Sequence, residues 1–252
     1  MRRILVIGVG VGDPDHLTLQ AVDALRRADV FFVPDKGVEK SDLKALRTEI
    51  LRRHARRPAR IVEFAMPARD RQPADYGGVV ADWHGRIAAL YRAVLLRDLP
   101  EGGCGACLVW GDPAFYDSTL RILDRLRADG FAFEVEIVPG VSAMQVLAAR
   151  HKIPLNEIGA PVLLTTGRRL AQDFAGHEAG VVVWLDGEQA FTALDGADIE
   201  IFWGAYLGTG DEILVSGPLH AVKDQILRLR AEARTRKGWI MDIYFLRRAR
   251  AS

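Results

Sequence analysis

The run Cys107-Leu-Val-Trp-Gly-Asp-Pro-Ala-Phe-Tyr116 fixes the fold class of this chain. Apolar residues and a tryptophan, closed by Gly111-Asp112-Pro113, read as a buried strand that stops at a turn. Pro113 has no N–H to give to a sheet ladder, and Gly111 lets another group approach the backbone. Ser118 then opens an apolar-periodic run (Leu120, Ile122, Leu123, Leu126), so the loop joins a strand end to a helix start. Ligands of α/β proteins bind at such carboxyl ends of strands. Taken alone, the loop also reads as an ordinary connection.

Upstream, Ile4-Leu-Val-Ile7 is a strand, Gly8-Val-Gly-Val-Gly12 a glycine loop and Asp13-Pro14-Asp15 a turn, with helical periodicity from Leu17 to Ala28. A dinucleotide fingerprint needs its third glycine to open directly into a helix. Here Asp13 and Pro14 occupy that place, and an acidic side chain repels a pyrophosphate. A second strand, Asp29-Val-Phe-Phe-Val-Pro34, runs into Asp35-Lys36-Gly37. The charged segment that follows spaces Leu43, Leu46, Ile50 and Leu51 as one helix, with Lys44, Arg47, Arg52 and Arg53 on its other face. That face is either solvated or a rim attracting a polyanion. Ile61-Val-Glu-Phe64 is a third strand. Met66 to Gly78 is a loop with Arg69 and Arg71, long enough to be a lid or a binding loop. Val79 to Leu96 is a helix.

Downstream, Phe133-Glu-Val-Glu-Ile-Val138 ends in Pro139-Gly-Val-Ser-Ala143, a second Gly/Pro-marked strand end before a helix, with Ser142 placed to cap it. Repeated strand–helix units predict a mainly parallel sheet covered by helices. His151 to Gly159 reads as a linker. Beyond it strands dominate (Val162–Thr165, Val181–Leu185, Ile199–Trp203, Glu212–Val215, Ile240–Phe245), with one long helix at Leu219–Arg236. The expectation is two α/β domains, 1–157 with a mainly parallel sheet and 158–252 with a mixed sheet, and an active-site cleft between them.

Composition narrows the function classes. A net charge of +1 argues against a nucleic-acid binder working by bulk electrostatics. No apolar run is long enough to span a membrane, Met1-Arg-Arg leads straight into a strand, and a cytoplasmic protein without a leader is expected. Cys104 and Cys107 have C-x-x-C spacing, but positions i and i+3 of a strand point to opposite faces and no further ligands lie near, so no metal is expected.

The chain resembles the tetrapyrrole methylase family. The matching segments are Gly8-Val-Gly-Val-Gly-Asp-Pro-Asp-His-Leu-Thr-Leu-Gln-Ala21, Ala28-Asp-Val30, Trp110-Gly-Asp-Pro-Ala-Phe115 and Val138-Pro-Gly-Val-Ser-Ala143, in the family's order. Phe32-Val-Pro-Asp-Lys-Gly37, and Ala114-Phe-Tyr-Asp-Ser-Thr119 where relatives carry further glycines, resemble the branch that methylates C1 of precorrin-5 and releases acetate. The resemblance implies S-adenosyl-L-methionine as cofactor, a small-molecule tetrapyrrole as substrate and a homodimer. It implies cofactor contacts at Pro14, Gly111, Asp112, Pro113, Tyr116, Ser142, Ala143, Leu185 and Ala205. Lys36, Lys40, Arg69 and Arg71 are candidates for holding substrate carboxylates, because ammonium and guanidinium groups suit them. Asp35 is the candidate base for acetate release. The rival readings are a family methylase that leaves the acetyl group in place, a nucleotide-dependent oxidoreductase and a non-catalytic corrinoid-binding protein.

Overall fold

The computed structural model describes residues 1–35, 41–56, 59–67, 76–175 and 180–249. The chain divides into two compact units, Met1–Gly10 with Pro14–Val141, and Val11–Asp13 with Ser142–Ser252.

The first unit is built on five parallel strands: β1 (Arg2–Gly8), β2 (Val30–Asp35), β3 (Arg60–Ala65), β4 (Cys104–Val109) and β5 (Phe133–Val138). Their order is β3-β2-β4-β1-β5. Strands covered on both faces need apolar residues at consecutive positions, and Ile4 to Ile7 of β1 are all fully buried. Alternate residues serve opposite faces. Ile4, Val6, Phe32, Cys107 and Val109 pack under α3 (Tyr76–Asp98) and α4 (Thr119–Ala128). Leu5, Ile7, Phe31, Ala106 and Leu108 pack under α1 (Leu19–Arg27) and α2 (Ser41–His54). Cys104 and Cys107 accordingly go to different faces, and burial pushes the Cys107 thiol up to about 12.

β1 and β4 are neighbours, yet the chain leaving β1 crosses to the α1 face and the chain leaving β4 to the α4 face. The chains beyond these two neighbouring ends thus go to opposite faces, which makes a topological switch point, where open parallel sheets hold ligands.

The second unit has a mixed sheet of β6 (Val162–Thr166), β7 (Gly180–Trp184), β8 (Ile199–Ala205), β9 (Ile213–Pro218) and β10 (Asp242–Arg248), in the order β6-β7-β10-β8-β9. β6 and β7 are parallel and the other pairs antiparallel. The parallel and mixed sheets are those expected from the sequence. Helices α6 (Leu170–Ala175) and α7 (Leu219–Lys237) cover one face through Leu170, Phe174, Leu219, Ile226 and Ala233. Helix α5 (Ala143–His151) packs against β8, β9 and β10. His151 Nε2 donates to the Trp203 carbonyl at 3.1 Å and meets Phe202 edge-on. The sequence places α5 with the first sheet; its contacts place it on the second.

Three glycines set how closely the first sheet can close. A Cβ on Gly8 would stand 2.6 Å from the Gly140 nitrogen and 2.8 Å from the Gly111 carbonyl oxygen, and one on Gly140 would strike that same oxygen. These neighbours are backbone and cannot swing aside, so overpacking of roughly 1–3 kcal/mol is the minimum. Gly140→Ala should therefore lower Tm by roughly 2–12 °C, using about 2–4 °C per kcal/mol for a chain of this size. Gly187→Ala, where a Cβ meets nothing, should leave it unchanged. Equal melting curves for the two variants would contradict this packing.

Candidate functional site

In the first unit, the ends of β1, β4 and β5 meet where those glycines lie. Val9 donates to the Val109 carbonyl at 2.9 Å, and Gly111 donates to the Gly10 carbonyl at 2.7 Å, forming an isolated antiparallel bridge beyond the parallel ladder. Asp112 ties the third strand in. Its Oδ2 accepts from the Gly140 N–H at 2.8 Å and its Oδ1 from the Ala114 N–H at 2.7 Å. The carboxylate is thus committed to two backbone donors, holding the Gly111–Ser118 loop in shape and against the end of β5. Pro113 is buried beside it. What remains is a peptide edge with few side chains, suited to a flat ligand read by backbone N–H and C=O groups.

Tyr116, in the same loop, adopts a left-handed φ of 51° and is 44% exposed. A bulky residue in that region is strained and the strain marks a site to examine for function. Pro14 opens a 3-10 turn, Pro14–His16, whose carbonyl accepts from Leu17 N–H at 3.4 Å. This turn separates the glycine run from α1, so no helix starts on the third glycine, as a dinucleotide site needs. Asp35 is exposed at the end of β2, its carbonyl accepting from Met66 N–H at 3.1 Å. Lys36, Lys40, Arg69 and Arg71 lie outside the described residues.

In the second unit, Ser142 caps α5. Gln145 Oε1 accepts from the Ser142 N–H at 2.8 Å, closing a capping box in which the Ser142 hydroxyl, 2% exposed, faces the Gln145 N–H. Reciprocal capping of this kind is the usual work of such a serine. Ala143 follows it, half-buried, in the first turn.

Leu185 directly follows β7 and Ala205 ends β8; the two strands run in the same direction on either side of β10. Leu185 has φ 53° and is 66% exposed; Tyr206, directly after Ala205, has φ 49°. Both bends are held from beneath. Asp186 Oδ2 accepts from Tyr244 OH at 2.6 Å and from Ala190 N–H at 2.7 Å, and its carbonyl accepts from Arg230 Nη2 at 2.9 Å. Arg230 Nε and Trp203 Nε1 both donate to Asp242 Oδ2, at 2.8 and 3.0 Å. Burial pushes the Asp242 carboxyl up, and these two donors oppose it. Tyr206 is tied through its hydroxyl to the Trp239 carbonyl. Neither Asp186 nor Arg230 carries a sequence signal beyond its residue type; both act through partners distant in the chain.

S-adenosylmethionine, the group implied by the resemblance, suits the Gly111–Pro113 turn, where backbone N–H and C=O groups lie beyond the end of a parallel strand and Asp112 fixes their position. Among the described residues no three His, Cys, Asp or Glu converge as metal ligands.

Comparison with known proteins gives concordant results. Residues 3–223 match the family described as Tetrapyrrole (Corrin/Porphyrin) Methylases. A Sinorhizobium sp. protein, precorrin-6A synthase [deacetylating], is 52% identical over 250 residues, 98% of this chain and 96% of its own length. A solved cobalamin-synthesis-related protein, CobF, from Corynebacterium diphtheriae superposes with a TM-score of 0.85 at 39% identity, covering 99% of this chain and all of its own. Uroporphyrin-III C-methyl transferase from Thermus thermophilus, solved with S-adenosylhomocysteine, shares the fold at a TM-score of 0.61 and 20% identity.

The two bonds to Asp112 set an expectation. Asp112→Asn keeps one acceptor but points an NH2 at a backbone N–H, leaving a donor unmet at a cost of roughly 1–3 kcal/mol. The variant should melt lower and bind S-adenosylhomocysteine more weakly. Wild-type affinity and wild-type Tm together would show that the clamp does not shape the loop.

Proposed function

The chain belongs to the tetrapyrrole methylases, and on that premise we propose that it methylates C1 of precorrin-5 and releases acetate, giving precorrin-6A. It is an S-adenosylmethionine-dependent methyltransferase acting on a corrin precursor in cobalamin synthesis. The observation that carries the reading is full-length identity of 52% to a deacetylating precorrin-6A synthase.

S-adenosylmethionine supplies, when bound, a methyl group already activated by its sulfonium. The protein's task is then to align a nucleophilic ring carbon and exclude water. Gly111 and Pro113 present backbone, and Asp112 holds that backbone still through Gly140 and Ala114. Ser142 and Ala143 offer a hydroxyl and the start of α5. Pro14, Tyr116, Leu185 and Ala205 complete the proposed cofactor contacts. The left-handed backbone at Tyr116 and Leu185 supports their part, since strain of this kind collects at ligand-holding positions. Lys36, Lys40, Arg69 and Arg71 are proposed to hold carboxylates of the ring.

Acetate release requires water to add to the acetyl carbonyl carbon, with cleavage of its bond to the ring and the electron pair left on the ring. Asp35 is the proposed base that takes the proton of that water. We further propose a homodimer working in the cytoplasm; among the described residues no helix is long and apolar enough to cross a membrane. Sedimentation at the monomer mass of 27.9 kDa would remove the dimer.

Incubation with precorrin-5 and methyl-labelled cofactor should give one labelled methyl and one acetate per turnover. Methylation without acetate would make the chain a related methylase; neither product would contradict the activity. In Asp35→Asn acetate release should slow by roughly 100-fold, the range of a positioned general base. An unchanged rate leaves water unassisted by that side chain.

A further inference from the structure

Helix α2 carries three arginines that the structure treats differently. Arg52 and Arg53 both donate to Glu49, at 2.7 and 2.6 Å, and hold that carboxyl down at about 2. Their charge is spent on their own helix. Arg47, one turn earlier, faces inward and is only 9% exposed. Its Nε has no hydrogen-bond partner among the described residues. The groups it senses, Tyr91 of α3 and Asp117 of the Gly111–Ser118 loop, act on it through space and not through a hydrogen bond.

The surroundings deepen the imbalance. Tyr91 and Cys107 are buried next to the same Asp117 and both are pushed up, Cys107 to about 12, so neither carries charge at neutral pH. Asp117 turns its Oδ1 to the Thr119 N–H at 2.7 Å, at the start of α4. A guanidinium has five donors in a fixed fork and stays protonated. Burying it with a donor unmet is costly, and the through-space attraction of Asp117 offsets only part of that cost. A buried charge in such an environment is a candidate for a functional site.

We propose that Arg47 is a carboxylate-binding residue of the active site, taking a side-chain carboxylate of the tetrapyrrole ring beside the Asp117 end of the cofactor loop. This rests on the methyltransferase reading and names a substrate contact within it. The fork of Arg47 suits a bidentate carboxylate, and the fraction of its surface still open gives the anion access. The cofactor also carries a carboxylate, so the two sources are separated by measurement.

The test uses Arg47→Met and Arg47→Lys in the full chain. Removing a buried charge that has a donor unmet, while keeping apolar volume, should raise the Tm of the ligand-free protein by a few degrees. The same variant should raise the KM for precorrin-5 by roughly 10–100-fold, the loss expected for a charged hydrogen bond. Affinity for S-adenosylhomocysteine, measured by calorimetry, should not change. Arg47→Lys, a point charge without the fork, should recover part of the KM. A weakened S-adenosylhomocysteine affinity with unchanged KM would reassign the carboxylate to the cofactor and overturn the substrate contact. A lower Tm with unchanged KM would make Arg47 a packing residue. A separate readout needs no turnover: succinate, against chloride at equal ionic strength, should raise the Tm of wild type and not of Arg47→Met. Should wild type fail to turn over precorrin-5, the methyltransferase reading falls, while the succinate measurement still decides whether Arg47 binds carboxylates.

Discussion

The first unit depends on backbone meeting backbone with nothing between. Gly8, Gly111 and Gly140 come from three separate strand ends, and at Gly8 and Gly140 a single methyl would collide with peptide atoms. Close packing of this kind is stiff, because peptide groups lack the rotamers by which side chains yield. Asp112 supplies the hydrogen bonds that keep the approach from being merely tolerated, one to each side of the turn. The result is a rigid edge at the switch point of a parallel sheet, bare enough for a planar ligand.

The second unit solves the complementary problem, that of holding strained bends. Leu185 and Tyr206 sit in a backbone region that costs roughly 1–3 kcal/mol each for residues of their size. The compensation lies below them in Asp186, Tyr244, Arg230 and Asp242, a buried set in which the side-chain donors and acceptors interlock. Buried ion pairs of this type contribute little net stability. Their value here is geometric: they permit an exposed leucine to stand in one orientation. Rigidity in both units suits a reaction in which the leaving group is already activated and alignment is what remains to be supplied.

Much of this was legible in the chain. Consecutive apolar residues in Ile4–Ile7 and Leu108–Trp110 mark parallel strands, and Gly111-Asp-Pro113 and Pro139-Gly140 mark their ends. The ends of β10 were less so: Arg247 and Arg248 look like solvent-exposed residues, yet they extend the ladder, with Arg247 paired to Glu200 at 2.8 Å and stacked over Phe202. Helix α6 escapes periodicity because Leu170 and Phe174 give it one i, i+4 pair and no more. Contacts across long separations were not legible at all. Asp112 reaches Gly140 over 28 residues, and Asp186 is reached by Arg230 and Tyr244 over 44 and 58. Residue type announces a carboxylate or a guanidinium; only the fold says whether its charge is spent on backbone, as at Asp112, or buried with a donor unmet, as at Arg47.

The central claim is that the peptide edge at Gly111–Pro113, just beyond the end of β4, receives the sulfonium nucleoside. A crystal structure with S-adenosylhomocysteine measures this directly. The expected result is the Gly111–Pro113 backbone in van der Waals contact with the ligand. A ligand bound away from that backbone would contradict it.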